Sequence, residues 1–189
     1  MNAEPLPPPL VLADLAGWRD WLDQHEDSSE GVWLLLAKKD TTSPTTLTYQ
    51  GALEEALCSG WIDGQRRSFD EHSFRQRFTP RRRRSIWSKR NVEIVGRLVE
   101  DGRMRERGER EIEVAKADGR WDRAYAGPAT AEVPTELSEA LAASPSARTA
   151  FARLTRTDRY SALHPILAAP SAEVAARRIA ALVARLEQD

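Results

Sequence analysis

Residues 61–80 read WIDGQRRSFDEHSFRQRFTP. From Arg66 to Thr79 aromatic and polar side chains interchange, with Phe69, Phe74 and Phe78 as punctuation. Successive side chains of an extended chain point to opposite faces, so this pattern predicts one or two short strands in a hairpin, ended by Pro80. Just ahead of it, Asp63-Gly64 reads as a turn signal after the extended pair Trp61-Ile62. Upstream, Val32 to Lys38 (VWLLLAK) is a continuous apolar run of strand length, the signature of a strand buried on both faces.

Helical patterns surround these strands. Asp14 is placed to cap a helix running to about His25, with Leu15, Trp18, Leu22 and Trp21 towards one side. Thr48 is placed to cap a second over Tyr49–Ser59, stopped by Gly60. Val92, Val95, Leu98 and Val99 give an apolar side to a helix over residues 89–100, and another spans residues 105–118. Beyond a small-residue, proline-bearing stretch the chain is rich in alanine, with helices expected over 135–143, 146–154 and 173–186. The expected fold class is α+β, a small mostly antiparallel sheet packed by helices and followed by a helical C-terminal region. The expected organisation is a flexible arm at residues 1–13, marked by Pro5, Pro7, Pro8 and Pro9, and a core domain at 14–126. A linker at 127–134 and the helical region at 135–189 complete it.

The chain has 189 residues, with 28 basic and 29 acidic side chains and a net charge of −1. This balance excludes a wholly basic nucleic-acid binder but not a local basic patch. One cysteine excludes a disulfide framework within the chain and a four-cysteine zinc site. The longest apolar run, Val32 to Ala37, is far short of the roughly 20 residues of a membrane span. The first ten residues contain an acid and no lysine or arginine, unlike a signal peptide. The expectation is a cytoplasmic protein.

The charges are segregated. Residues 1–65 hold three basic and eleven acidic side chains, net −8; residues 66–90 hold ten basic and two acidic, net +8. Ten cations interleaved with Phe69, Phe74, Phe78 and Trp87 suit oxyanion recognition, because guanidinium forks bind phosphate and carboxylate bidentately and aromatic faces stack. The ordinary alternative is an arginine-rich hairpin neutralised by the acidic N-terminal third. Within this span Arg81 to Arg84 are four consecutive arginines that cannot all find carboxylates locally. Arg81, Ser85 and Lys89 beside a helix start near Ser88 form a candidate anion cradle, since free N–H groups and the helix dipole favour an anion there. Either serine is equally a plain helix cap.

Trp61 and Trp87 flank the basic segment as candidate pocket walls. Asp63, beside Gln65 and Arg66, reads as a general base, a partner for arginine, or an ordinary turn former. Cys58, at the end of an apolar helix with no histidine near it in sequence, reads as buried and inert. The phosphate-loop, dinucleotide-fold, zinc-protease and nucleophile-elbow motifs do not occur. No metal site and no cofactor are expected.

Several segments in series resemble the YdeI/OmpD-associated family, whose members are often labelled bacteriocin-protection proteins. They include Trp18-x-x-Trp21-Leu22, Gly31-Val32-Trp33-Leu34, Tyr49 with Ala52-Leu53-Glu54-Glu55-Ala56-Leu57-Cys58, and Gly60-Trp61-Ile62-Asp63-Gly64. Phe78-Thr79-Pro80-Arg81, Ser85-x-Trp87-Ser88-Lys89-x-Asn91, Gly102-Arg103-Met104 and Gly119-Arg120-Trp121 continue the series. The likeness extends over about residues 15–186 and implies a bacterial protein linked to bacteriocin protection, with no catalytic role attached to any residue. It is broken at Ser59, where a bulky apolar residue is expected, and at Arg105-Glu106-Arg107, where proline is expected.

The resulting expectation is a binding protein. Its site joins Trp61, Asp63, Arg81, Ser85, Trp87, Ser88, Lys89 and Asn91 around an anionic small molecule or an acidic protein surface. One alternative is a small enzyme using Asp63 as general base beside an oxyanion site at Arg81. A second is nucleic-acid binding through residues 66–90.

Overall fold

The computed structural model describes residues 7–188. Three strands and eight helices follow in the order α1 (Leu15–His25), β1 (Val32–Ala37), α2 (Tyr49–Cys58), β2 (Trp61–Ser68), β3 (Ser73–Pro80), α3 (Lys89–Glu100), α4 (Glu106–Ala117), α5 (Thr135–Ala143), α6 (Pro145–Arg153), α7 (Arg156–Leu167) and α8 (Ala172–Leu186). The fold is α+β with a helical C-terminal region, as the patterning predicts. The chain forms two compact units. Unit 1 comprises the residues up to Ser85 together with Glu93–Ala117; unit 2 comprises Ile86–Val92 and the residues from Asp118 on.

In unit 1 the sheet order is β1-β3-β2, with both pairings antiparallel. Val32, Leu34 and Leu36 lie opposite Phe78, Gln76 and Phe74, so these six share one face. The other face carries Trp33, Leu35 and Ala37 opposite Arg77, Arg75 and Ser73. Leu34, Leu35 and Leu36 are all almost fully buried, which explains the unbroken apolar run of β1. Helices α1 and α2 begin where capping chemistry predicts, with Asp14 accepting from Gly17 N and Thr48 from Gly51 N. Trp18, fully buried, packs 5.6 Å from Phe78 between ring centroids and donates its Nε1–H to Ala52 O.

Two sequence expectations change here. Asp63-Gly64 is not a turn. It lies inside β2, where a register shift between Asp63 and Arg66 marks a bulge. The hairpin turns later, at residues 69–72, where the Asp70 carboxylate accepts from His72 N, Ser73 N and Ser73 Oγ. The segment expected as a loose arm is also fastened at Leu10. Its N–H donates to Trp33 O at 2.7 Å and its carbonyl accepts from Leu35 N at 2.9 Å. The part of that arm at residues 1–6 lies outside the described residues.

Helices α5 to α8 of unit 2 share an apolar cluster, with Leu137, Leu141, Phe151, Leu163, Ile166, Ile179, Leu182 and Leu186 at its centre. Helix α7 contributes Leu163 and Ile166 and has no counterpart in the sequence reading, because Pro165 breaks the helical pattern there. Thr155 caps α7 by accepting from Asp158 N. Among the described residues no helix is long and apolar enough to cross a membrane.

Candidate functional site

The eight residues expected to share a site divide between the two units. Trp61, Asp63, Arg81 and Ser85 belong to unit 1; Trp87, Ser88, Lys89 and Asn91 belong to unit 2. In unit 1, Trp61 is fully buried, edge-on to Trp18 and Trp21, with its Nε1–H donating to Glu26 O. It fills the core and offers no wall to solvent. The Asp63 carboxylate accepts from the Tyr49 hydroxyl at 2.8 Å. Arg81 is buried, with its N–H donating to Gly60 O, and Ser85 Oγ accepts from Arg82 N. In unit 2, Trp87 packs against Trp121 at 4.9 Å. Ser88 Oγ accepts from Asn91 N, and Lys89 N donates to Tyr125 O, so two of the backbone donors at the start of α3 are satisfied by the chain. Ser88 is therefore a helix cap, the ordinary use of a serine at that position.

Four acids of the N-terminal third, Asp23, Asp27, Glu54 and Glu55, form ion pairs, and none of these is with the basic segment. Glu55 in α2, with its side chain 3% exposed, receives Arg19 Nη2 at 2.8 Å, Arg103 Nη2 at 2.7 Å and Arg105 Nη2 at 3.4 Å. Arg103 also binds Glu54, Arg105 binds Asp23, and Arg107 binds Asp27 while donating to Ser59 O. Burial pushes the Glu55 carboxyl up, but hydrogen bonds from Arg19 and Arg103 outweigh it and hold the group below its ordinary value. Arg105-Glu106-Arg107, where the family likeness breaks, thus supplies two of the anchors. Gly108 lets α4 approach α2: a Cβ there would meet Cys58 O at 2.2 Å. Cys58 is buried, and that burial, reinforced by the Glu55 charge, raises its thiol to about 11. A thiol with that value is not a nucleophile at neutral pH.

The arginines of the basic hairpin are not paired with its two acids, Asp70 and Glu71. Among the described residues, none of Arg66, Arg67, Arg75, Arg77, Arg82, Arg83 and Arg84 forms an ion pair. Asp70, in the middle of the hairpin, is occupied by its turn, and the Ser73 hydroxyl and the His72 and Ser73 amides hold its carboxyl below the ordinary value.

The bulge decides where these arginines point. It brings Arg66 opposite Gln76 and Arg67 directly opposite Arg75. Gln76, 2% exposed, secures it by donating Nε2–H to Gly64 O at 2.9 Å and Gln65 O at 3.2 Å. Arg66 then lies over the Phe74 ring, 3.7 Å from its centroid. On the opposite face, Arg67, Arg75 and Arg77 form a cationic row. Arg75 lies over Phe69, 5.3 Å from a ring that is 47% exposed at the hairpin turn, and its Nε is buried with no hydrogen-bond partner among the described residues. Like charges directly opposite each other destabilise a strand pair, so the row costs stability unless something neutralises it. Sequence reasoning singles out neither Gln76, which holds the bulge, nor Arg67, Arg75 and Arg77 as a row; a glutamine among alternating aromatics and arginines carries no signal of a bulge.

Residues 10–111 match the model of a domain family of unknown function, DUF8412. Residues 130–189 match that of the bacteriocin-protection, YdeI or OmpD-associated family. The family resembled in sequence is thus matched over residues 130–189 alone, and none of the motifs that carried the likeness lies there. Most of the motifs that carried the likeness, from Trp18 to Met104, lie in the first match. No curated protein and no solved structure matches the chain.

Proposed function

We propose that this chain, which belongs to the DUF8412 family over residues 10–111 and carries a YdeI/OmpD-associated domain at residues 130–189, is a binding protein whose unit 1 captures an anionic partner on the β2–β3 hairpin. The observation that carries the proposal is the set of four arginines, Arg66, Arg67, Arg75 and Arg77, with no ion pair among the described residues, on a hairpin whose register sets Arg67 against Arg75. Guanidinium groups in that state supply bidentate donors to phosphate or carboxylate oxygens. Arg82 to Arg84, all exposed, extend the positive field beyond the end of β3. Binding is favoured over catalysis because Asp63, the candidate general base, is engaged by Tyr49. The proposed setting is the cytoplasm, with a role in protection against bacteriocins or related antimicrobial stress, supported by the label of the C-terminal match.

Thermal unfolding with inorganic polyphosphate tests the proposal. Ligand at 100 times its Kd stabilises the folded state by about 2.7 kcal/mol, which raises Tm by several degrees over sodium chloride of equal ionic strength. Substituting Arg67→Thr together with Arg75→Thr removes most of that rise. A parent protein with no response to polyphosphate refutes the proposal.

A further inference from the structure

Resting on that anion-binding reading, we infer that the partner of the β2–β3 hairpin is a single-stranded nucleic acid, bound by its phosphates on Arg67, Arg75 and Arg77 and by a base stacked on Phe69. The arrangement of charge comes first. A small anion is best held by donors converging on one point in a concave site. Here Arg66 stands on one face of the sheet and Arg67, Arg75 and Arg77 on the other, with Arg82 to Arg84 beyond the end of the hairpin. Arg75 and Arg77 are two residues apart on β3, so they project from one face about 6.7 Å apart along the strand, with Arg67 across from Arg75. A row of that kind fits a repeating charge.

The aromatic component comes second. Phe69 is a large apolar side chain, half exposed at the hairpin turn, with a guanidinium over its ring. The acidic side chains of a peptide have no aromatic face to set against it, and a duplex keeps its bases stacked inside. A single strand offers a run of phosphates for Arg67, Arg75 and Arg77 together with an unstacked base for Phe69. Stacking on Phe69 does not depend on base identity, because every base has a π-face, so the binding is tolerant of sequence.

Fluorescence anisotropy of the full chain with labelled oligothymidylate and oligouridylate, titrated against salt, tests the inference. Inorganic polyphosphate, a blunt duplex and poly-L-glutamate are run beside them at matched charge. Three or four phosphate contacts give a slope of log affinity against log salt of roughly −2 to −3. The Arg67→Thr, Arg75→Thr pair makes that slope shallower by about 1.4. Phe69→Ala lowers oligonucleotide affinity by roughly 5- to 100-fold, leaves the salt slope and polyphosphate binding unchanged, and is rescued by Phe69→Trp. Circular dichroism of each variant checks the fold. If polyphosphate binds but Phe69→Ala has no effect on oligonucleotides, or if the duplex or polyglutamate binds as tightly, the inference is overturned and the anion-binding reading survives. If no polyanion binds, both fall.

Discussion

Glu55 shows how a single residue organises unit 1. Its carboxylate is buried and receives three guanidinium groups, from α1 and from the segment leading into α4. Removing one partner of a buried ion cluster strands the others. Because the Arg19 side chain is 50% exposed and that of Arg103 33% exposed, Glu55→Gln is expected to cost about 3 kcal/mol at pH 7, the low end for a buried pair. The pH dependence follows from the lowered carboxyl. A group that ionises more readily in the folded state contributes its full stability above the ordinary carboxylate value of 4.5, and loses it as pH falls through the folded-state value. The stability gap between parent and variant in urea denaturation should therefore be widest at neutral pH and close on acidification; a gap independent of pH contradicts this account. The sequence shows that residues 1–65 are acidic, but not which cations meet them. Arg103, Arg105 and Arg107 lie some fifty to eighty positions from their partners, and only the docking of α4 on α2 through Gly108 brings them there.

At the level of the element, the hairpin was legible and its register was not. Alternation announces strands wherever it occurs, but pairing depends on the partner strand. The bulge depends on a buried Gln76 whose amide satisfies two carbonyls across the sheet. The Asp-Gly signal at residues 63–64 marks a local backbone preference that the bulge absorbs, while Asp70 builds the true turn with its side chain. Helix α7 stayed hidden for the converse reason: Pro165 reads as a stop, yet the helix runs to Leu167 because Leu163 and Ile166 are buried in the cluster of unit 2 and the Pro165 carbonyl accepts from Arg178. The hairpin also carries a trade between stability and binding. Arg67→Thr relieves the repulsion from Arg75 and places a β-branched residue on a strand, so the free protein should gain about 0.2–1 kcal/mol in chemical denaturation. The same variant should respond less to polyphosphate. A loss of stability in the free protein contradicts the reading of Arg67 and Arg75 as an uncompensated pair.

For the whole molecule, the sequence shows segregated charge and an alanine-rich helical end, but not that residues 86–92 cluster with residues from 118 on, because proximity between distant segments leaves no local pattern. Unit 2 has an apolar cluster of its own, drawn entirely from α5 to α8, and Phe151 is its largest side chain. Truncating a buried phenylalanine removes its transfer free energy and leaves a cavity, together costing about 3–5 kcal/mol. That cost falls on contacts within unit 2, while the strand hydrogen bonds of unit 1 keep all their partners. Phe151→Ala should therefore accelerate amide hydrogen exchange across residues 135–186 by several orders of magnitude in local opening, and leave protection in β1 and β3 close to that of the parent. Peptide-resolved exchange by mass spectrometry reads both regions in one experiment. Equal loss of protection in β1 and β3 would mean that the two units unfold as one cooperative body, and the separation of their cores would then have no thermodynamic meaning.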